Sequence, residues 1–210
     1  MTPILRPGYF HRTIRAMKFD PKIHHRASTR LQRFDYSLTG AYFITIVTYQ
    51  REMLFGEIVD GEMRLNRRGE IVQEEWFRSA EIRKEIQLFF DEFVVMPNHI
   101  HGIVWIVDGN IVIDTKVESD HNVGATGRSP LRLDNHPRGP KPRSLSSFVA
   151  GFKYSVTKRI RDELNETGVW QRNYHDRIIR NDRELDAVRK YIESNPHNWI
   201  TDDENPMSGK

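Results

Sequence analysis

Apolar residues recur along this chain with two different periods. The run AYFITIVTYQ, Ala41 to Gln50, is β-branched and aromatic with apolar residues on both alternating faces, as in a central strand covered on both sides. Phe55 to Leu65 reads as a hairpin turning at Asp60-Gly61, a pair suited to left-handed turn positions. Asn66 can then cap a helix to about Ser79. That helix turns Ile71, Val72, Trp76 and Phe77 toward the sheet and Arg67, Arg68, Glu70 and Glu74 outward. Gln87 to Val95 and Ile100 to Val107 read as two antiparallel strands joined at Met96-Pro97-Asn98.

A stretch from about Asp108 to Arg143, rich in Gly, Pro, Asn, Asp and Ser, follows these strands. It is longer than most ordered loops, which predicts a mobile insertion ending in the basic run 137–143. Ser144 is placed to cap a helix reaching about Glu166, with Gly168 as its stop. Leu145, Val149, Phe152, Val156 and Ile160 form that helix's apolar stripe. Val169 to Tyr174 is too short to classify, and Arg183 to Glu193 is a helix closed by Asn195-Pro196. Strands interspersed with helices, most strand pairs linked as hairpins, predict an α+β domain: an antiparallel sheet with helices packed on it and further helices toward the C-terminus. Residues 34–199 are expected to form one domain, between a basic flexible segment 1–33 and a tail 200–210.

Composition narrows the chemistry. The chain contains no cysteine, which excludes disulfides and thiolate metal sites and fits a reducing cytoplasm. No apolar run approaches the roughly 20 residues of a membrane span, and no apolar segment of the secretory kind follows Pro3 and Pro7. Net charge is only +3, but residues 1–33 carry eight basic side chains against the single acid Asp20, a balance that favours a polyphosphate partner or a solvated tail.

Two features could carry chemistry. In Pro97-Asn98-His99-Ile100-His101-Gly102 the two histidines alternate with one apolar residue on a strand, so both imidazoles face one side while Ile100 packs into the core. Such a pair can hold Mn²⁺ or Zn²⁺, or Mg²⁺ weakly, with substrate oxygens completing the shell, or it can be two structural histidines. The segment lacks the Asp-His continuation of metallo-hydrolases and the third alternate histidine of histidine-triad proteins. The second feature is Tyr154, which lies opposite the apolar stripe of its helix beside Lys158 and Arg161. A phenol flanked by cations can act as a nucleophile toward phosphate, or be no more than a half-exposed tyrosine on a basic helix face.

Taken together, Tyr42 to Thr48 (YFITIVT), Met96 to Gly102 (MPNHIHG), Phe152-Lys153-Tyr154, Trp170 to Asp176 (WQRNYHD) and Tyr191 to Pro196 (YIESNP) resemble the REP-associated tyrosine transposases, relatives of the single-tyrosine insertion-sequence transposases. The resemblance spans about Tyr36 to Trp199. It implies a ferredoxin-like, RRM-type sheet, a histidine–hydrophobe–histidine site for Mg²⁺ or Mn²⁺ at His99 and His101, and a helix-borne tyrosine, matched to Tyr154, that forms a 5′-phosphotyrosine link with single-stranded or hairpin DNA. It also implies a third, amide-bearing ligand one helical turn after the tyrosine; that position is Lys158, leaving Gln171, Asn173 and Asn98 as candidates, and Tyr174 as an alternative nucleophile. Arg67, Arg68, Lys153, Lys158, Arg159, Arg161, Arg172 and Arg177 are the expected DNA-backbone contacts. The partner implied is DNA rather than a membrane, bound by a monomer or homodimer; a non-cleaving hairpin binder derived from such an enzyme is the alternative. An RNA-binding sheet of RRM type would show aromatics on the strand face that the histidines occupy.

Overall fold

The computed structural model describes residues 34–108 and 139–208; the basic segment 1–33 and most of the expected insertion lie outside the described residues. In chain order the elements are β1 (Gly40–Val47), β2 (Gly56–Val59), β3 (Glu62–Leu65), α1 (Arg67–Ile82), β4 (Ile86–Gln87), β5 (Phe93–Met96), β6 (His99–Ile106), α2 (Leu145–Leu164), β7 (His175–Ile179) and α3 (Asp182–Ser194). All sheet pairings are antiparallel: β1 lies between β7 and β6, and β4 and β5 both run along the far edge of β6. With β4 and β5 counted as one interrupted strand, the order is that of a ferredoxin-like βαββαβ unit. The β2–β3 hairpin stands apart, its turn made by Asp60 and Gly61 at φ 54° and 80°.

The sheet has two differently covered faces, and strand alternation decides what each receives. Tyr42, Ile44, Ile46, Ile100 and Val104 point to one face, where Ile71, Val72 and Trp76 of α1 and Phe148, Val149, Phe152, Val156 and Ile160 of α2 complete the main core. Each large side chain buried there contributes about 1.5–3 kcal/mol. Gly102 is required here: a Cβ on it would lie 2.5 Å from the Trp76 ring, which instead lies over the bare backbone and stacks on Phe93 at 4.4 Å between centroids. The opposite face carries His99, His101 and Ile103, and α3 covers it through Val188 and Ile192.

The caps of α1 and α2 follow the sequence, Asn66 and Ser144 each accepting from backbone N–H of the first turn, and Asn181 caps α3 in the same way. Other expectations are corrected. The strand expected over 87–95 breaks into β4, a 3₁₀ turn at Phe90–Glu92 and β5. Phe90 turns back to stack on Phe77, and the buried Glu92 carboxylate takes Trp105 Nε1 at 2.6 Å and Arg189 at 2.6 Å. The first strand ends at Val47 rather than Gln50, because Gln50 and Arg51 adopt left-handed φ values of 54° and 59°. The second helix ends at Leu164, with Asn165 in the left-handed cap position. β7 was not foreseen, since His-Asp-Arg offers no apolar alternation. Residues 200–208, expected as a tail, fold back against the histidine face, as the contacts of Arg51 and Asn98 with Asp203 and Glu204 show.

Candidate metal centre

His99 and His101 stand where alternation along β6 puts them, on the α3 face, with Val47 and Thr45 of β1 opposite. Their Nε2 atoms face each other at 2.9 Å. Asn98 Nδ2 donates to the carbonyls of Arg51 at 3.2 Å and Glu204 at 2.7 Å, which orients its amide so that Oδ1 meets His99 Nδ1 at 2.8 Å. His99 therefore donates from Nδ1 and keeps its Nε2 lone pair toward its neighbour. Thr45 Oγ1 lies 2.8 Å from His101 Nδ1 and holds the second ring in place. Asn98, a candidate ligand by sequence, is thus engaged in orienting the His99 ring.

α3 closes the site from above. Tyr191 and Asn195 are four residues apart, so they stand on one helix face. The Tyr191 hydroxyl is 3.2 Å from His101 Nε2, its ring packs against His101 and Phe43, and Asn195 Nδ2 donates to Asp202 Oδ2 at 3.2 Å. Asn195 Oδ1 is buried and has no hydrogen-bond partner among the described residues. Asp202, held by the Glu204 N–H at 2.7 Å, brings a carboxylate oxygen into the same space: ligand atoms of His99, His101 and Asp202 all lie within 4.8 Å of one another. Trp199 packs beside His99 with ring centroids 6.0 Å apart.

The two histidines are 0% and 3% exposed. Burial, reinforced by the Arg51 guanidinium, pulls His99 down to about 3. Burial and the neighbouring imidazole pull His101 well below its ordinary value, against the opposing pull of Asp202. Both are neutral at pH 7, the form that ligates metal. Burial, with Asp202 adding to it, pushes the Tyr191 phenol up to about 12. Two facing imidazole nitrogens and a carboxylate oxygen form a set of groups that could hold a metal ion.

Tyr154 stands elsewhere. It is 68% exposed on the outward side of α2, whose inner stripe packs on the opposite face of the sheet, so the sheet separates it from the histidines of its own chain. Tyr174 packs against that same main core. The amide expected one turn after a tyrosine, absent at Lys158, occurs as Asn195 after Tyr191. That spacing was readable in YIESNP; the carboxylate of Asp202 had no sequence signal.

The cations expected to meet DNA are largely engaged within the chain. Arg67 binds Glu163, Glu70 and Glu74, and Arg68 holds Glu166 through two hydrogen bonds of 2.5 Å. Arg159 pairs with Glu74, Glu75 and Glu163, and Lys158 with Asp162. Arg161 and Arg177 lie 3.6 Å from Asp162 and Glu184. Lys153, which burial brings down to about 8, donates to the carbonyls of Gln171, Arg172 and Asn173 and so clamps the backbone of that segment. Arg172 is exposed.

A ferredoxin-like sheet with a histidine–hydrophobe–histidine pair on its central strand, faced by a helix carrying Tyr-x-x-x-Asn, is the class of protein these features define. Its fold is shared with a REP-associated tyrosine transposase solved bound to a REP hairpin, at a TM-score of 0.50 and 17% identity, over 82% of this chain and 76% of that one. No family model matches the chain. By sequence it is 36% identical over 190 residues to an uncharacterized protein of Haemophilus influenzae, covering 88% of this chain and 96% of that protein. The chain belongs to the family of that protein.

Proposed function

We propose that the protein is a DNA strand transferase that cuts and rejoins single-stranded or hairpin DNA, with Tyr191 rather than Tyr154 as the nucleophile. The observation that carries this reading is the Tyr191 hydroxyl 3.2 Å from Nε2 of His101, which itself faces Nε2 of His99 at 2.9 Å. His99, His101, Asp202 and Asn195 would hold a divalent ion, which when bound supplies positive charge to the phosphoryl oxygens. Asn98 and Thr45 fix the imidazole orientations, and the α3 turn from Tyr191 to Asn195 sets the phenol beside them. The Tyr191 oxygen bonds to phosphorus, the P–O3′ bond breaks, and the phenol proton ends on the released 3′ oxygen. The 5′-phosphotyrosine conserves the energy of the broken ester, so a 3′-OH can reverse the step.

DNA as partner is supported by the shared fold with a hairpin-bound transposase, and a single chain supplies both tyrosine and histidines. Among the described residues no helix is long and apolar enough to cross a membrane. The test is incubation with labelled single-stranded hairpin DNA and Mn²⁺ or Mg²⁺. A denaturation-resistant adduct is expected, lost in Tyr191→Phe and retained in Tyr154→Phe; an adduct that survives Tyr191→Phe would sink the assignment. Burial of the histidine pair favours a second reading, a hairpin-binding protein that does not cut, which tight binding without adduct in either metal would support.

A further inference from the structure

Arg51 takes no part in the chemistry above, yet it is built into the same wall. Both Gln50 and Arg51 have left-handed backbones, which two successive residues bearing a Cβ rarely adopt unless the surroundings impose it. The surroundings are specific: the Arg51 N–H donates to the Thr48 carbonyl at 3.2 Å, and its own carbonyl accepts from Asn98 Nδ2 at 3.2 Å. Since the same amide holds His99 Nδ1, one side chain fixes the base of the guanidinium relative to the histidine pair.

The guanidinium is already holding oxygen ligands. Nη1 donates to the Asp203 carbonyl at 3.0 Å, and Nη2 forms an ion pair at 3.1 Å with Glu204 Oε2, a buried oxygen that has no hydrogen-bond partner among the described residues. The planar guanidinium thus faces one oxygen through a hydrogen bond and a second through charge alone, and its second arm is free to make the closer contact with which arginine recognises a phosphodiester. The segment supplying them, Asp202-Asp203-Glu204, presents consecutive acids, and its first carboxylate lies at the histidines. We propose that Arg51 binds a phosphate of the DNA strand, and that Glu204 occupies that phosphate's position in the absence of DNA. This rests on the strand-transfer reading for the identity of the anion. Because the histidines have almost no solvent access, a phosphate reaching them displaces 202–204, and Arg51, half-exposed, is the cation it meets on the way.

The test is a double-mutant cycle on DNA affinity, run in chelator so that no cleavage intervenes: wild type, Arg51→Gln, Glu204→Gln and the double variant, each titrated with labelled single-stranded hairpin DNA. Loss of a charged hydrogen-bonded fork predicts roughly ten-fold weaker binding for Arg51→Gln. Glu204→Gln is expected to bind several-fold tighter than wild type, and that gain to vanish in the Arg51→Gln background. Equal affinity of Arg51→Gln and wild type, an undiminished Glu204→Gln gain without Arg51, or no binding by any of the four overturns the proposal. Should Arg51→Gln melt below the assay temperature, Arg51→Lys replaces it: affinity at least about three-fold below wild type is expected, since a point charge lacks the fork, and equal affinity overturns it. Failure to form the Tyr191 adduct would sink strand transfer and leave this cycle readable.

Discussion

His99 and His101 are neutral in the folded protein because water does not reach them, and that has a consequence for stability. A histidine in the unfolded chain titrates near 6.5, whereas His99 in the fold does so near 3. Between those values the unfolded state binds the extra proton, so stability rises with pH. The contribution is complete above about pH 6.5 and is lost as pH falls from there toward 3. Metal-free protein should therefore show a denaturant midpoint that drops between about pH 7.5 and pH 5, and the drop should be smaller in His99→Gln. Equal slopes for the two proteins would mean that the histidine is not held neutral. The pair itself was legible in the sequence, because a strand period of two leaves two alternate residues no choice but to share a face.

At the scale of elements, amphipathic periodicity located α1, α2 and α3, and local residue types the caps of the first two, but it did not show that many of the outward charges pair with one another. Arg67, Arg68 and Arg159 sit at helical spacings facing Glu70, Glu74, Glu163 and Glu166, and the close packing of α1 on α2 turns two charged faces into one ion-pair seam. Arg67→Ala is accordingly expected to leave hairpin affinity within about two-fold of wild type and to change stability little, since such pairs are solvent-exposed and screened. A large loss of DNA affinity in that variant would return this seam to the DNA interface. The 170–174 segment and β7 escaped sequence reading for a related reason. Their order comes from Lys153 clamping three carbonyls and from pairing with β1, both of which are long-range.

At the scale of the whole molecule, histidines, tyrosine and amide come together within one chain, and the strand-transfer reading then predicts a site that one chain completes. Mixing Tyr191→Phe with His101→Ala protein should then yield no more DNA adduct than either alone; recovery in the mixture would show a site shared between chains. The sequence by itself determined the α+β class, the central strand, the caps of α1 and α2 and the shared face of His99 and His101, because each depends on backbone periodicity and local hydrogen bonding. Only the tertiary structure decided which tyrosine meets that face. Periodicity tells which side of a helix a residue occupies, but not which side of the sheet the helix covers. α2 lies on the far face with Tyr154, whereas α3 lies over the histidines with Tyr191 and Asn195. Asp202 and Arg51 join the site through the return of 199–208 across the sheet, a contact between segments about 150 residues apart that no local pattern encodes.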